Sequence, residues 1–127
     1  MNTASVILVE DDADVRRSLA MMLRSRGFSV QQYSNGPEML ASRHIPDTGC
    51  LLLDYRMPHM NGLQLFKHYR ERGGHSPAIL ITGDFSRSVK RDAALEGIFA
   101  VIEKPITGED LVSQINLALL PSTPNAL

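Results

Sequence analysis

The chain has 127 residues, of which 43% are hydrophobic and 21% charged, a balance that suits one soluble domain with a core of its own. Its formal charge of -1 offers no broad basic surface to nucleic acid or an anionic membrane, so action on DNA would need another segment or protein. No apolar run approaches the ~18 residues of a membrane span and no basic leader opens the chain. The single Cys50 has neither a disulfide partner nor metal-ligand spacing, so a cytoplasmic protein is expected.

The first predicted element is the short β-branched run Ser5 to Val9, a strand that ends in Glu10-Asp11-Asp12. From Asp14 the period changes. Val15, Leu19, Met22 and Leu23 recur at the spacing of one helical face, with Asp12 or Asp14 to cap the start and Gly27 to end it. Ser29 to Tyr33 reads as a polar second strand, hence an edge. Asn35-Gly36-Pro37 marks a turn and a helix start, and the helix carries Met39 and Leu40, fades by His44 and is broken at Pro46 and Asp47.

Gly49 to Asp54 is the third strand, an apolar run stopped by the turn chemistry of Pro58 and Asn61-Gly62. Leu63, Phe66 and Tyr69 give helical spacing up to Gly73-Gly74. Ala78 to Thr82 is a fourth apolar strand that ends on a hydroxyl. Ser86 to Glu96 follows as a helix with a thin apolar face (Val89, Ala93, Ala94, with Leu95 to one side), which makes it a candidate for a movable part of the domain. After Gly97, Ala100 to Lys104 is the fifth strand. Thr107 to Asp110 has capping-box spacing, and Leu111, Val112, Ile115, Ala118 and Leu119 build the last helix. The domain is expected over residues 1–120, with 121–127 a tail or the start of a linker.

Five strands alternating with five helices imply one doubly wound parallel sheet, covered on both faces. In such a sheet the carboxyl ends of the strands lie along one edge, where ligands bind. That edge collects Glu10 and Asp11 from strand one, Asp54 from strand three, Thr82 from strand four and Lys104 from strand five. Each alone has a bland reading: acids that cap a helix, an aspartate that starts a turn, a structural threonine, a solvated lysine. Their joint occurrence at successive strand ends makes a site. Carboxylates crowded this closely repel by ~1 kcal/mol per pair at 4 Å even in water, which calls for a cation. All-oxygen donors with room left for water and phosphate favour Mg²⁺. With charge neutralised, a carboxylate can attack a phosphoryl group while Lys104 and Thr82 each hold a phosphoryl oxygen.

These residues resemble the receiver domains of bacterial two-component response regulators. The resemblance runs from Val6 to Leu120. It rests on Glu10-Asp11, on Asp54 followed by Met57-Pro58 and Gly62, on Thr82-Gly83 and on Lys104-Pro105, with matching separations between them. It implies a flavodoxin-like sheet of strand order 2-1-3-4-5. It also implies that Asp54 accepts a phosphoryl group from the phosphohistidine of a histidine kinase or phosphotransfer protein. Asp11, Asp54 and the Arg56 backbone carbonyl would ligate Mg²⁺, Glu10 would act through metal-bound water, and Thr82 and Lys104 would bind phosphoryl oxygens. The Lys104-Pro105 bond would be cis.

Two departures stand out. Receivers often carry Tyr or Phe three residues before the strand-five lysine, and here that residue is Val101, which has no ring to rotate. Phe99 is the nearby alternative, against a packed core Phe as the simpler reading. The positions that tune phosphoryl lifetime in this family, two past the Asp and two past the Thr, are Arg56 and Asp84. Their opposite charges could meet over the site and hinder water, with two separately solvated side chains as the equal alternative. His44, His59, His68 and His75 fall on turns or helix ends without metal spacing.

A switch that controls an output domain or partner is therefore expected, transcriptional by preference, with homodimerisation on phosphorylation as a family possibility. A stand-alone phosphorelay or adaptor receiver is the alternative. A Mg²⁺ phosphatase of the haloacid-dehalogenase type is remote: it needs a second acid two residues after the nucleophile, where Arg56 stands, so no enzyme activity beyond self-catalysed acceptance and autodephosphorylation is expected.

Overall fold

A computed structural model of the chain describes residues 4–43 and 49–121. Its elements alternate throughout: β1 (Ser5–Val9), α1 (Ala13–Ser25), β2 (Ser29–Tyr33), α2 (Gly36–Ala41), β3 (Gly49–Asp54), α3 (Gly62–Glu71), β4 (Ala78–Thr82), α4 (Arg87–Glu96), β5 (Ala100–Glu103) and α5 (Gly108–Ala118). The strands form one five-stranded sheet in the order β2-β1-β3-β4-β5, and every pairing is parallel. This is the doubly wound fold the alternation predicts, with β3 central and β2 and β5 at the edges.

Local chemistry explains where the helices begin. The Asp12 carboxylate accepts from the Asp14 and Val15 N–H groups at 3.0 and 3.1 Å, and so caps α1. Asn35 caps α2 through the Glu38 N–H. Asn61 and Gln64 close a reciprocal capping box on α3, each side chain bonding the other's backbone N–H at 2.9 Å. Ser86 caps α4 and Thr107 caps α5. At the far end of α4, Gly97 takes φ +85°, a left-handed cap that costs a glycine nothing.

Alternate residues along the strands face opposite layers, as the pleat requires. Ile7, Val9, Leu51, Leu53 and Leu80 pack with Met39, Leu63, Leu65, Phe66, Tyr69, Val89 and Ala93, which puts α2, α3 and α4 on one face. Val6, Leu8, Cys50, Leu52, Ile79 and Ile81 pack with Ala20, Leu23, Leu111 and Ile115, which puts α1 and α5 on the other. All of β3 is buried, Asp54 included.

The structure amends several details. Ala94 is exposed, so α4 is anchored by Val89 and Ala93 alone, and Leu95 is 78% exposed. Val15 lies outside the core, on the surface beside Leu19. β5 stops at Glu103, which leaves Lys104 in the turn after it. Phe99 is not a packed core residue. It is 46% exposed and precedes the amino end of β5, at the opposite edge of the sheet from Asp54. His44, Pro46, Asp47 and the tail beyond Pro121 lie outside the described residues.

Candidate functional site

Parallel pairing sets the site by register. Val9 lies opposite Leu53, so Glu10 and Asp11 emerge next to Asp54, and Asp54 lies opposite Ile81, one residue before Thr82. Thr82 in turn lies opposite Glu103, one residue before Lys104. Four strand ends thus converge without any side chain having to reach far.

Glu10, Asp11 and Asp54 each offer a carboxylate oxygen within 4.8 Å of the other two. Glu10 and Asp54 are buried, at 4% and 5% exposure, and Asp11 faces solvent. The Lys104 ammonium stands 3.1 Å from Asp54 Oδ1. One cation against three carboxylates leaves the cluster electron-rich. Burial first, then the hydrogen bond to Asp54 and its charge, push the Glu10 carboxyl up to about 8, against the opposing pull of Lys104. Desolvation pulls the Lys104 ammonium down, but the hydrogen bond to Asp54 and the charges of Asp54, Glu10 and Asp11 together outweigh it and hold its pKa above the ordinary value. The Lys104-Pro105 peptide is cis.

This donor set fits a hard dication. All three ligand groups are carboxylates, two of them buried, and the crowding that pushes the Glu10 carboxyl up is what a bound cation would relieve. Arg56, whose carbonyl is the fourth expected ligand, lies in the bend two residues past Asp54. Gly62 closes that loop. Its N–H donates to the Tyr55 carbonyl at 3.0 Å, and a Cβ there would sit 2.7 Å from both the Asp54 carbonyl oxygen and Leu80 Cδ1. A side chain at this position would push on the backbone of Asp54 itself.

Thr82 reaches the same edge but looks elsewhere. It is buried, its Oγ1 accepts the Asp84 N–H at 2.8 Å, and its hydroxyl donates to the Asp84 carbonyl at 3.1 Å. Asp84 and Arg56 meet, guanidinium to carboxylate, at 3.5 Å. Val101 is half-buried against the α3–α4 layer. Of the histidines, His59, His68 and His75 are exposed, and His68 lies 3.5 Å from Glu71. His59 holds φ +76°, an uncommon backbone state for a residue with a Cβ, within the loop that follows Asp54.

Two contributors escaped the sequence reading. Arg16, on the first turn of α1, donates to the Glu10 carbonyl at 2.7 Å and so steadies the acidic loop. Ser86 donates its N–H to Asp84 Oδ1 at 3.2 Å, which ties the loop after β4 to the start of α4. The spacing of Arg16 from the acids was a usable signal; the Ser86 contact depends on a loop conformation that spacing does not encode.

The family model of the response regulator receiver domain matches residues 6–116. The response regulator protein TodT of Pseudomonas putida is 37% identical over 119 residues, which cover 91% of this chain and 52% of that protein. The transcriptional regulatory protein TdiR of Thauera aromatica is 32% identical over 118 residues, 93% of this chain and 52% of that one. The chain therefore spans about half the length of these curated relatives. Among solved structures, FixJ-N superposes with a TM-score of 0.85 at 31% identity, over 97% of this chain and 100% of its own.

Proposed function

The chain belongs to the receiver domain family of response regulators, and on that premise we propose that Asp54 is its phosphoacceptor, charged by the phosphohistidine of a histidine kinase or phosphotransfer protein. An Asp54 carboxylate oxygen forms the new bond to phosphorus, the P–N bond to the donor imidazole breaks, and the electron pair and a proton return to that ring. The observation that carries this reading is the Lys104 ammonium 3.1 Å from Asp54 Oδ1, within a carboxylate cluster too crowded to stand uncompensated. Lys104 orients the attacking carboxylate and can pass to a phosphoryl oxygen as charge moves there. The Thr82 hydroxyl takes a second phosphoryl oxygen once it leaves Asp84. Glu10, Asp11, Asp54 and the Arg56 carbonyl would hold Mg²⁺, Glu10 through water. The ion, when bound, supplies positive charge to the transferring phosphoryl group.

Receiver domains act on their own aspartate and do not turn over a free substrate, so the chain is not an enzyme in the ordinary sense. The domain is read as residues 1–120, with 121–127 as a tail or linker, in the cytoplasm. No helix among the described residues is long and apolar enough to cross a membrane. Phosphorylation is read as a switch controlling an output domain or partner, with homodimerisation as one outcome. A transcriptional output is supported by relatives named as transcriptional regulators, of which this chain matches about half. A stand-alone relay or adaptor is the second reading, and the coding sequence after Leu127 decides between them.

Incubation with Mg²⁺ and acetyl phosphate followed by intact mass tests the core of the proposal. One phosphoryl adduct is expected on the wild type and none on Asp54→Asn. A wild type without an adduct overturns it.

A further inference from the structure

Thr82 has one hydroxyl proton, and it is already committed to the Asp84 carbonyl. Its lone pairs receive the Asp84 N–H. The hydroxyl can donate to a phosphoryl oxygen on Asp54 only by leaving Asp84. Asp84 is itself held at both carboxylate oxygens. Oδ1 accepts from the N–H of Ser86, the residue that caps α4, and Oδ2 faces the Arg56 guanidinium at 3.5 Å. The next residue, Phe85, carries the Lys90 ammonium 4.3 Å from its ring centroid, which fastens the loop to the first turn of α4. One residue therefore joins the loop behind Asp54, the threonine hydroxyl and the start of α4.

We propose that Asp84 is a positioning residue that latches Thr82 away from Asp54, and that its ion pair with Arg56 sets how strongly the unphosphorylated domain keeps the latch closed. The inference rests on the reading of Asp54 as phosphoacceptor and Thr82 as phosphoryl ligand. Arg56 is two residues from Asp54, so a phosphoryl group there competes with Asp84 for the guanidinium. Loss of that partner frees the carboxylate, the Asp84 backbone lets go of the Thr82 hydroxyl, and Phe85 and Ser86 carry the shift into α4. That helix buries only Val89 and Ala93, so it can follow. The route asks for no rotating ring at residue 101, where this chain has Val101.

The pair is open to solvent, with side-chain exposures of 76% and 35%, so its leverage is modest: removal should shift the closed-to-open ratio about two- to fivefold. The test is amide NMR over Gly83 to Val89 on wild type, Asp84→Ala, Arg56→Ala, Arg56→Lys and the Arg56→Ala/Asp84→Ala double variant, with and without beryllofluoride and Mg²⁺. Arg56→Ala keeps the backbone carbonyl and lies outside the observed segment, so it is the cleanest probe.

Without ligand, the amides of both single Ala variants should move part of the way along the line from the free to the beryllofluoride-saturated wild type. The double variant should move no further than the larger single, and Arg56→Lys should restore most of the wild-type position. Added salt should move the wild type along the same line and leave the double variant still. Amides that stay at wild-type positions in Arg56→Ala, that move off the line, or that shift additively in the double variant would each overturn the latch. Intact mass after acetyl phosphate, on the same samples, separates the two claims. A phosphorylated wild type with unmoved variant amides sinks the latch alone, whereas an unphosphorylated wild type sinks the functional reading and the latch with it.

Discussion

Glu10 sits one residue beyond β1, almost without solvent, and shares its surroundings with Asp54 and Asp11. In the unfolded chain its carboxyl titrates near 4.5; in the folded domain burial and Asp54 move it to about 8. Between those values the folded state holds a proton that the unfolded state has released. Stability of the metal-free domain should therefore fall as pH rises from about 5 to 8 and flatten above. At ~1.4 kcal/mol per unit of displacement the loss is on the order of a few kcal/mol. Urea unfolding of chelator-treated protein at pH 5.5 and 8.5 reads it, and Glu10→Gln should remove most of the slope; an equal slope in the variant would put its origin elsewhere. Arg56 has a second consequence at this scale. On the proposed reading, an Arg56 drawn toward the phosphoryl group would stand in the path of attacking water, so Arg56→Ala should shorten the phospho-form's half-life about two- to fivefold, the range an exposed pair can supply. An unchanged half-life by intact mass over time would show that Arg56 does not shield the group.

α3 and α4 are of equal length, ten residues each, yet they are held very differently. α3 buries Leu63, Leu65, Phe66 and Tyr69, whereas α4 buries Val89 and Ala93. At roughly 25 cal/mol per Å² of apolar surface, α4 should open with a much smaller free energy. Native-state hydrogen exchange should show α4 amides exchanging at least ~10-fold faster than those of α3, and indistinguishable protection would refute the idea that α4 is the movable element. The thin face of α4 was legible in the sequence, as were four apolar strands and the polar edge strand β2, because strand periodicity and caps such as Asp12 and Thr107 are local signals. The strand-end acids and Lys104 were legible too, since parallel topology fixes which ends share an edge. Other features depend on tertiary context. Phe99 continues into an apolar run, Ala100 to Ile102, yet it precedes an edge strand and stays in solvent. The direction of the Thr82 hydroxyl is a rotamer choice made by the loop, and the spacing of Thr82 from Asp84 does not set it. Ala94 has the spacing of a buried residue, but no second layer covers it.

Across the whole molecule, β3 ties the core to the site, with Cys50 near its amino end and Asp54 at its carboxyl end. Cys50 is fully buried between the sheet and the α1–α5 layer, and burial pushes its thiol up to about 12. The native thiol is therefore both unreachable and protonated at neutral pH, and reaction with iodoacetamide requires the central strand to be uncovered. Uncovering it means lifting a helical layer from a sheet whose order places β3 between β1 and β4, so labelling should report near-global opening. A cation bound by Glu10, Asp11 and Asp54 joins β1 to β3 and binds only the folded chain, so it should suppress that opening by mass action. At Mg²⁺ a hundred times its Kd, the open population, and with it the Cys50 labelling rate, should fall about 100-fold. Asp54→Asn and Asp11→Asn should each abolish most of that protection while leaving the thiol buried. A labelling rate indifferent to Mg²⁺ in the wild type would mean that the carboxylate cluster does not hold the ion in the folded state. Protection that persisted in both variants would mean that the ion binds elsewhere on the domain.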